Sequence, residues 1–244
     1  MSQNISDKQI THIAIIPDGN RRWAKKKGLE TIEGHKVGIE KIEEVAKWAH
    51  EHKIKHITFW GFSTDNNKRS EEEIKKLMEL FEYKFENLKK RVENMLKNKE
   101  EKIPKINLKF YGNINKMPES LIKKIKEVEE KTKNNKEVYV NILLNYGGKD
   151  EIFDCIRNVA EDYKKGKITE INENEIMKRL WTGELPYPDL IIRTSGEARL
   201  SGLFPLQSGY SELFFVYKLW PDFSKEDFEN IIDDFKNRER RFGK

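Results

Sequence analysis

Six short runs of almost unbroken apolar residues punctuate the chain: Thr11–Ile16, His56–Phe62, Ile106–Tyr111, Val138–Leu144, Leu190–Arg193 and Leu213–Tyr217. Their lack of strict alternation predicts strands covered on both faces, as in a parallel sheet. Between them, apolar residues recur every three to four positions. Gly34–His52 carries Val37, Ile42, Val45, Ala46, Trp48 and Ala49 on one face. Glu71–Asn98 does the same with Ile74, Leu77, Met78, Phe81, Phe85, Leu88, Val92 and Met95. Ser120–Thr132, Asp150–Tyr163, Glu173–Trp181 and Lys225–Phe235 complete the predicted helices. Strands alternating with helices give an α/β fold, read as a single domain over residues 1–244. It has a central six-stranded, mostly parallel sheet surrounded by helices. Residues 1–10 are expected to be a flexible N-terminus. The lysine-rich Lys97–Lys105 segment, with Pro104, is expected to be a mobile loop.

Composition narrows the picture. The 13 Phe, 8 Tyr and 5 Trp supply a core despite 36% charged residues, which argues against disorder. A net charge of +5 from 47 basic and 42 acidic residues is too small an excess to imply nucleic acid, and none is expected. Cys155 is the sole cysteine, which excludes an internal disulfide and a cysteine zinc site. It shares a helical face with Ile152, Ile156 and Val159 and reads as a packed thiol. With neither a signal-peptide pattern nor a membrane-length apolar stretch, the chain is expected to be cytoplasmic, with peripheral membrane contact as a secondary option.

Chemistry concentrates at the C-terminal ends of the strands, where ligands bind in parallel α/β sheets. The first strand runs into Pro17-Asp18-Gly19-Asn20-Arg21-Arg22 and a helix start. Such a turn aims backbone N–H groups and the positive helix end at an anion. Arginines suit phosphate oxygens. A carboxylate beside phosphate is repulsive without an intervening cation, so Asp18 implies a divalent metal. Strand two ends in Ser63-Thr64-Asp65-Asn66-Asn67-Lys68-Arg69, strand four in Asn145-Tyr146-Gly147-Gly148, and strand five in a segment bearing Arg193, Arg199 and Ser201. Two basic clusters, Arg21 and Arg22 with Arg69, and Arg193 with Arg199, suggest two phosphorylated substrates or one long one. Neither a dinucleotide fingerprint nor a P-loop is present. Taken singly, Gly19-Asn20 is an ordinary turn and Asp18 an ordinary helix cap. His50, His52 and His56 straddle a helix end and a strand start, and read as junction residues.

This ordered set resembles the cis-prenyltransferase family of undecaprenyl and dehydrodolichyl diphosphate synthases. The matching pieces are His12–Ala24, Gly34-His35, Phe62-Ser63-Thr64, Asn145–Gly148, Arg193–Glu197, Arg199 with Ser201, Tyr210 with Glu212, Trp220–Phe223 and Arg238–Gly243. They run in the family's order along nearly the whole chain. The resemblance implies condensation of isopentenyl diphosphate with an allylic prenyl diphosphate to give cis double bonds, with Mg²⁺ as cofactor. It places Asp18 and Glu212 at the metal. Gly19, Asn20, Arg22, His35 and Arg69 fall on the allylic diphosphate, with Arg21 and Trp23 of the same motif among the substrate-binding positions. Arg193, Arg199 and Ser201 fall on isopentenyl diphosphate. Asp18, Ser63 and Asn66 are the catalytic candidates. The proton acceptor stays open among Asp18, Ser63, Asn66 and a pyrophosphate oxygen.

The resemblance also implies a homodimer, in which the terminal Arg241-Phe242-Gly243 reaches a neighbouring active site, and an apolar product tunnel. Phe81, Phe85, Ile142 and Leu144 are candidate tunnel walls against the reading of ordinary core. Departures from the family fall at Thr31, Asp65-Asn66-Asn67 (usually Glu-Asn-Trp), Ser70 (usually Pro) and Leu206 (usually aromatic). They admit altered acceptor choice, chain length or an irregular condensation. The competing class is a non-catalytic subunit of a heteromeric synthase, a role disfavoured by the retained Asp18, Arg193 and Arg199.

Overall fold

The computed structural model describes residues 9–97 and 105–238. The expected flexible N-terminus up to residue 8, most of the lysine-rich loop and the Arg241-Phe242-Gly243 ending lie outside the described residues. The strands are β1 (His12–Ile16), β2 (His56–Ser63), β3 (Ile106–Tyr111), β4 (Val138–Tyr146), β5 (Leu190–Arg193) and β6 (Glu212–Phe215). The helices are α1 (Asn20–Lys26), α2 (Thr31–Glu51), α3 (Glu71–Lys97), α4 (Glu119–Thr132), α5 (Gly148–Lys164), α6 (Glu173–Met177) and α7 (Lys225–Asn237). The strands form one six-stranded sheet ordered β3-β4-β2-β1-β5-β6, and β1 with β2, β1 with β5, β3 with β4 and β5 with β6 all pair parallel. The chain divides into two compact units. One comprises Met1–Phe59, Tyr187–Leu200 and Leu206–Lys244; the other Trp60–Pro186 and Ser201–Pro205.

In the first unit every residue of β1 is buried, as its apolar run requires of a central strand. Its only polar side chain, His12, bonds Thr58 Oγ1 through Nε2 at 2.7 Å. Trp220 is fully buried and donates its indole N–H to the carbonyl of Gly38 at 2.8 Å. Phe223 stacks on Trp220, and Trp48 of α2 meets Phe223 and Phe228. α2 begins at Thr31, three residues ahead of the expected Gly34, because Gly34 and Gly38 serve as contact points within the helix. A Cβ on Gly34 would lie 2.2 Å from the carbonyl oxygen of Asn20, so only glycine lets α1 approach.

In the second unit, Phe62, Phe81, Phe85 and Phe110 form a buried ladder of rings, each about 5.0–6.3 Å from the next. The candidate wall residues Phe81 and Phe85 therefore pack ring against ring in the core. An open cavity of about 780 Å³ lies elsewhere in this unit, along β3. Lys109, Lys126, Glu129, Lys133, Lys178 and Glu184 among its lining make it too charged for a hydrocarbon chain. β3 is an edge strand, and two of its N–H groups are capped by α4. Leu108 donates to Thr132 Oγ1 at 3.1 Å and Phe110 to Glu129 Oε1 at 2.9 Å. Cys155 packs with Val159 and Leu180, as its helical spacing predicts. α6 ends at Met177 rather than Trp181, because the following residues turn to bring Thr182 onto Glu151. Glu151, 1% exposed, accepts hydrogen bonds from the Thr182 N–H (2.8 Å), the Thr182 hydroxyl (2.6 Å) and the Tyr146 hydroxyl (2.7 Å).

Candidate active site

The first unit gathers its charged groups at the C-terminal ends of β1 and β5, which lie side by side with Ile16 opposite Arg193. The β1 exit turns at Gly19, whose φ of 110° is open to glycine; an added Cβ would also stand 2.9 Å from a methyl of Leu219. Asp18 is fixed from behind, its carbonyl accepting from the Thr194 hydroxyl (2.7 Å) and the Trp220 N–H (3.0 Å). Its carboxylate faces two guanidiniums: Arg193 Nη2 donates to Oδ2 at 2.8 Å and Arg22 Nη2 to Oδ1 at 3.3 Å. Burial pushes the Asp18 carboxyl up. The Arg193 hydrogen bond and the Arg193 and Arg22 charges outweigh that effect and hold it below its ordinary value.

Arg193 is almost completely buried and also donates to the Arg199 carbonyl at 2.6 Å. Arg22 is half exposed and donates to Ser195 Oγ at 2.6 Å. Glu197 accepts from Arg199 at 2.5 Å and from Arg22 at 3.4 Å. Asp18, Arg22, Arg193 and Arg199 thus form one cluster with three guanidiniums against the carboxylates of Asp18 and Glu197. Ser195 and Glu197, which the sequence marks only as part of the Arg193–Glu197 match, belong to it as well. Their signal was the Thr194-Ser195-Gly196 turn, in which Ser195 and Gly196 both take left-handed φ, at 79° and 76°.

Other expected site residues in this unit have different surroundings. Asn20 donates its side-chain amide to the Pro17 carbonyl at 3.1 Å, locking the turn, and its Oδ1 is buried against Gly38. Trp23 is buried with Ala24 and Leu219 and donates Nε1 to Asp222 at 2.7 Å. Arg21 is exposed on α1, and His35 lies one turn into α2. Glu212 pairs in register with Leu190 at the start of β5, three residues before Phe215, which faces Arg193. At about 3.3 Å per residue this is roughly 10 Å down the strand from the Asp18 end. Its carboxylate bonds Arg238 at 2.8 Å, so the structure does not bring Glu212 to Asp18 within one chain.

In the second unit, β2 runs into a 3-10 turn, Thr64–Lys68, that carries the other candidates. Ser63 Oγ accepts the Asn66 N–H at 3.2 Å, and Asn66 Oδ1 accepts the Ser63 N–H at 3.0 Å. This reciprocal cap holds both residues. It engages the Asn66 carbonyl oxygen and leaves its amide N–H₂ as the group able to donate to a ligand. Arg69 follows and pairs with Glu73 at 3.1 Å. Ser70 Oγ accepts the Glu73 N–H at 3.3 Å, a helix cap that proline could not make. Ser201 has a left-handed φ of 51°. Leu206, in the first unit, is exposed, and nothing in the structure explains its departure from an aromatic.

Magnesium takes hard oxygen donors and keeps several of its own, from water or phosphate. Among the described residues no three metal-ligating side chains cluster, whereas Asp18 offers one carboxylate between the guanidiniums of Arg193 and Arg22. That donor set fits a Mg²⁺ ion carried largely by diphosphate. No helix among the described residues is long and apolar enough to cross a membrane.

Comparison with known proteins gives these features their context. The family model for undecaprenyl diphosphate synthase matches residues 16–243. The chain is 44% identical over 232 residues to an isoprenyl transferase of Thermotoga maritima, covering 95% of this chain and 96% of the relative. It is 46% identical over 235 residues to a geranylgeranyl-diphosphate-specific tritrans,polycis-undecaprenyl-diphosphate synthase of Thermoplasma volcanium, covering 96% and 88%. The fold matches the lavandulyl diphosphate synthase of Lavandula x intermedia, solved with dimethylallyl diphosphate, at a TM-score of 0.87 and 31% identity, covering 97% of this chain and 99% of that one. With a family match that takes in Asp18, Arg22, Arg193 and Arg199 alike, the chain is a prenyltransferase and belongs to the undecaprenyl diphosphate synthase family of cis-prenyltransferases.

Proposed function

We propose that this enzyme condenses isopentenyl diphosphate repeatedly with an allylic prenyl diphosphate, forming a cis-polyprenyl diphosphate in a Mg²⁺-dependent reaction. The observation that carries this reading is the Asp18 carboxylate held between Arg193 and Arg22. The carboxylate occupies the guanidinium forks as an internal anion. A diphosphate oxygen takes its place on Arg193 and Arg22, and Asp18 is then available to a cation. Asp18 would hold a Mg²⁺ ion, which would supply neutralising charge to the diphosphates and to the departing pyrophosphate. Arg193 and Arg199 hold the diphosphate of isopentenyl diphosphate and Arg22 that of the allylic substrate, a part that the family resemblance also gives to Arg69. The Asn66 amide and Ser63 hydroxyl orient the reacting ends. Asn66 is excluded as a base, since a carboxamide does not take up a proton at neutral pH. A neutral serine hydroxyl is no base either, which leaves Asp18 and a pyrophosphate oxygen as acceptors. The enzyme acts as a homodimer, as its resemblance to the family implies.

Incubation with radiolabelled isopentenyl diphosphate and acceptors from dimethylallyl to geranylgeranyl diphosphate, followed by mass spectrometry of the lipid, tests the reading. A Mg²⁺-dependent ladder of products differing by one isoprene unit is expected, with geranylgeranyl diphosphate a strong acceptor in view of the Thermoplasma relative. Asp18→Ala should lower turnover by at least about a hundredfold, roughly 3 kcal/mol of barrier. No pyrophosphate release with any acceptor would overturn it. The fold match to lavandulyl diphosphate synthase favours a second reading, a single irregular coupling. One short branched product from dimethylallyl diphosphate alone would select it.

A further inference from the structure

The exit of β4 has no assigned role, yet the turn bearing Ser63 and Asn66 rests on it at two points. Asn145 is 5% exposed and takes a left-handed φ of 47°, a conformation that asparagine tolerates better than most residues. It is tied twice to Asn113: its Nδ2 donates to the Asn113 carbonyl at 3.0 Å, and its own carbonyl accepts the Asn113 N–H at 3.2 Å. Gly112 makes this approach possible, since a Cβ there would stand 2.1 Å from the Leu144 carbonyl oxygen. So fixed, Asn145 presents Oδ1 to the side-chain amide of Asn67 at 3.0 Å. Two residues on, Gly147 meets the other end of the turn, where an added Cβ would fall 2.3 Å from Thr64 Oγ1. Asn67 is itself exposed, and its amide bond to a buried, doubly tied acceptor fixes the end of the turn to β4.

We infer that Asn145 is a positioning residue for prenyl transfer, holding the Ser63–Asn66 cap through Asn67. Asn67 stands where the family usually has tryptophan, so the amide pair is this chain's own way of tying down the turn. The inference rests on the proposed condensation, in which Ser63 and Asn66 orient the reacting ends.

The test is a double-mutant cycle of Asn67→Ala and Asn145→Gly. Glycine adopts the left-handed backbone without strain and removes the side-chain bonds. Turnover with isopentenyl diphosphate and an allylic acceptor is measured alongside binding of inorganic pyrophosphate and thermal melting. Each single substitution is expected to lower kcat at least about tenfold, and the double variant to be no slower than the worse single. The pyrophosphate affinity of the Arg193 cluster should stay within about twofold. Loss of stability alone would not divide kcat from binding in this way. Should Asn145→Gly fail to fold, Asn67→Ala, an exposed change, decides the matter by its kcat. The inference is overturned if Asn67→Ala stays within twofold of wild-type kcat, or if the two losses multiply. A wild-type enzyme that makes no prenyl product would instead overturn the proposed condensation.

Discussion

Replacing Asp18 by asparagine removes one charge and almost no volume, which isolates the electrostatics of the arginine clamp. The two pairs differ in depth. Arg193 is 6% exposed and bonds Asp18 at 2.8 Å, whereas Arg22 is 46% exposed and bonds it at 3.3 Å. An exposed pair contributes at most about 1 kcal/mol. A charge-assisted bond to a buried guanidinium contributes about 1.5–3 kcal/mol. Full loss of a buried pair reaches about 3–5 kcal/mol, but Asp18 is itself 30% exposed and its asparagine still offers a carbonyl oxygen. Asp18→Asn should therefore destabilise the ligand-free enzyme by about 2 kcal/mol. For a chain of this size that lowers Tm by about 4–8 °C.

The same change releases both guanidiniums, so inorganic pyrophosphate without Mg²⁺ should bind the variant more tightly than the wild type and restore much of the lost Tm. The acid limb gives a second check. The Asp18 carboxyl lies below its ordinary value when folded, so its stabilisation is full above the unfolded value and fades as pH falls through the folded one. The variant's Tm deficit should accordingly shrink below about pH 4. Calorimetric scans with and without pyrophosphate, repeated across pH, test each part. An unchanged Tm together with unchanged pyrophosphate affinity would refute the view that Asp18 acts as the internal anion of the arginine clamp.

Glu151 titrates with the opposite sign. Burial pushes its carboxyl up against its three donors, so its proton favours the folded state. Wild-type stability should fall as pH rises from about 4.5 through the elevated value, and Glu151→Gln should lose that dependence, its Tm relative to wild type rising across pH 4–8. A constant difference between the two melting curves would count against this. Trp23→Phe removes the indole bond to Asp222 while keeping a buried ring; a loss of about 1–3 kcal/mol is expected, with KM for both diphosphates unchanged, by melting and steady-state kinetics. A raised KM would instead support a substrate-binding role for Trp23.

Much of the fold was legible because a parallel sheet leaves apolar runs and its crossover helices leave a three-to-four spacing. The differences arise where tertiary contact overrides local pattern. Gly34 reads as a helix start, yet sits inside α2 because α1 needs room there. β4 continues two residues past its apolar run, through Asn145, whose left-handed φ no pattern announces, to Tyr146. In the site, Asp18, Arg22, Arg193 and Arg199 were readable from their places at strand ends. The distance of Glu212 from Asp18 within the chain depends on the β5–β6 register, which no local motif records. Asn20 and Trp23 share the same motif as Asp18, but their side chains face a carbonyl and the core.

The two bonds from α4 to the outer side of β3 have a consequence for assembly. A free edge strand is a template on which any extended segment can dock, including the same strand of another molecule. Here Thr132 and Glu129 occupy the N–H groups of Leu108 and Phe110 that such a visitor would use. The guards come from the next helix along the chain, so the edge is sealed as soon as that helix packs and needs no distant part of the fold. Sheet growth is stopped at this margin, and association there is left to side-chain surfaces, which can be selective where backbone pairing cannot.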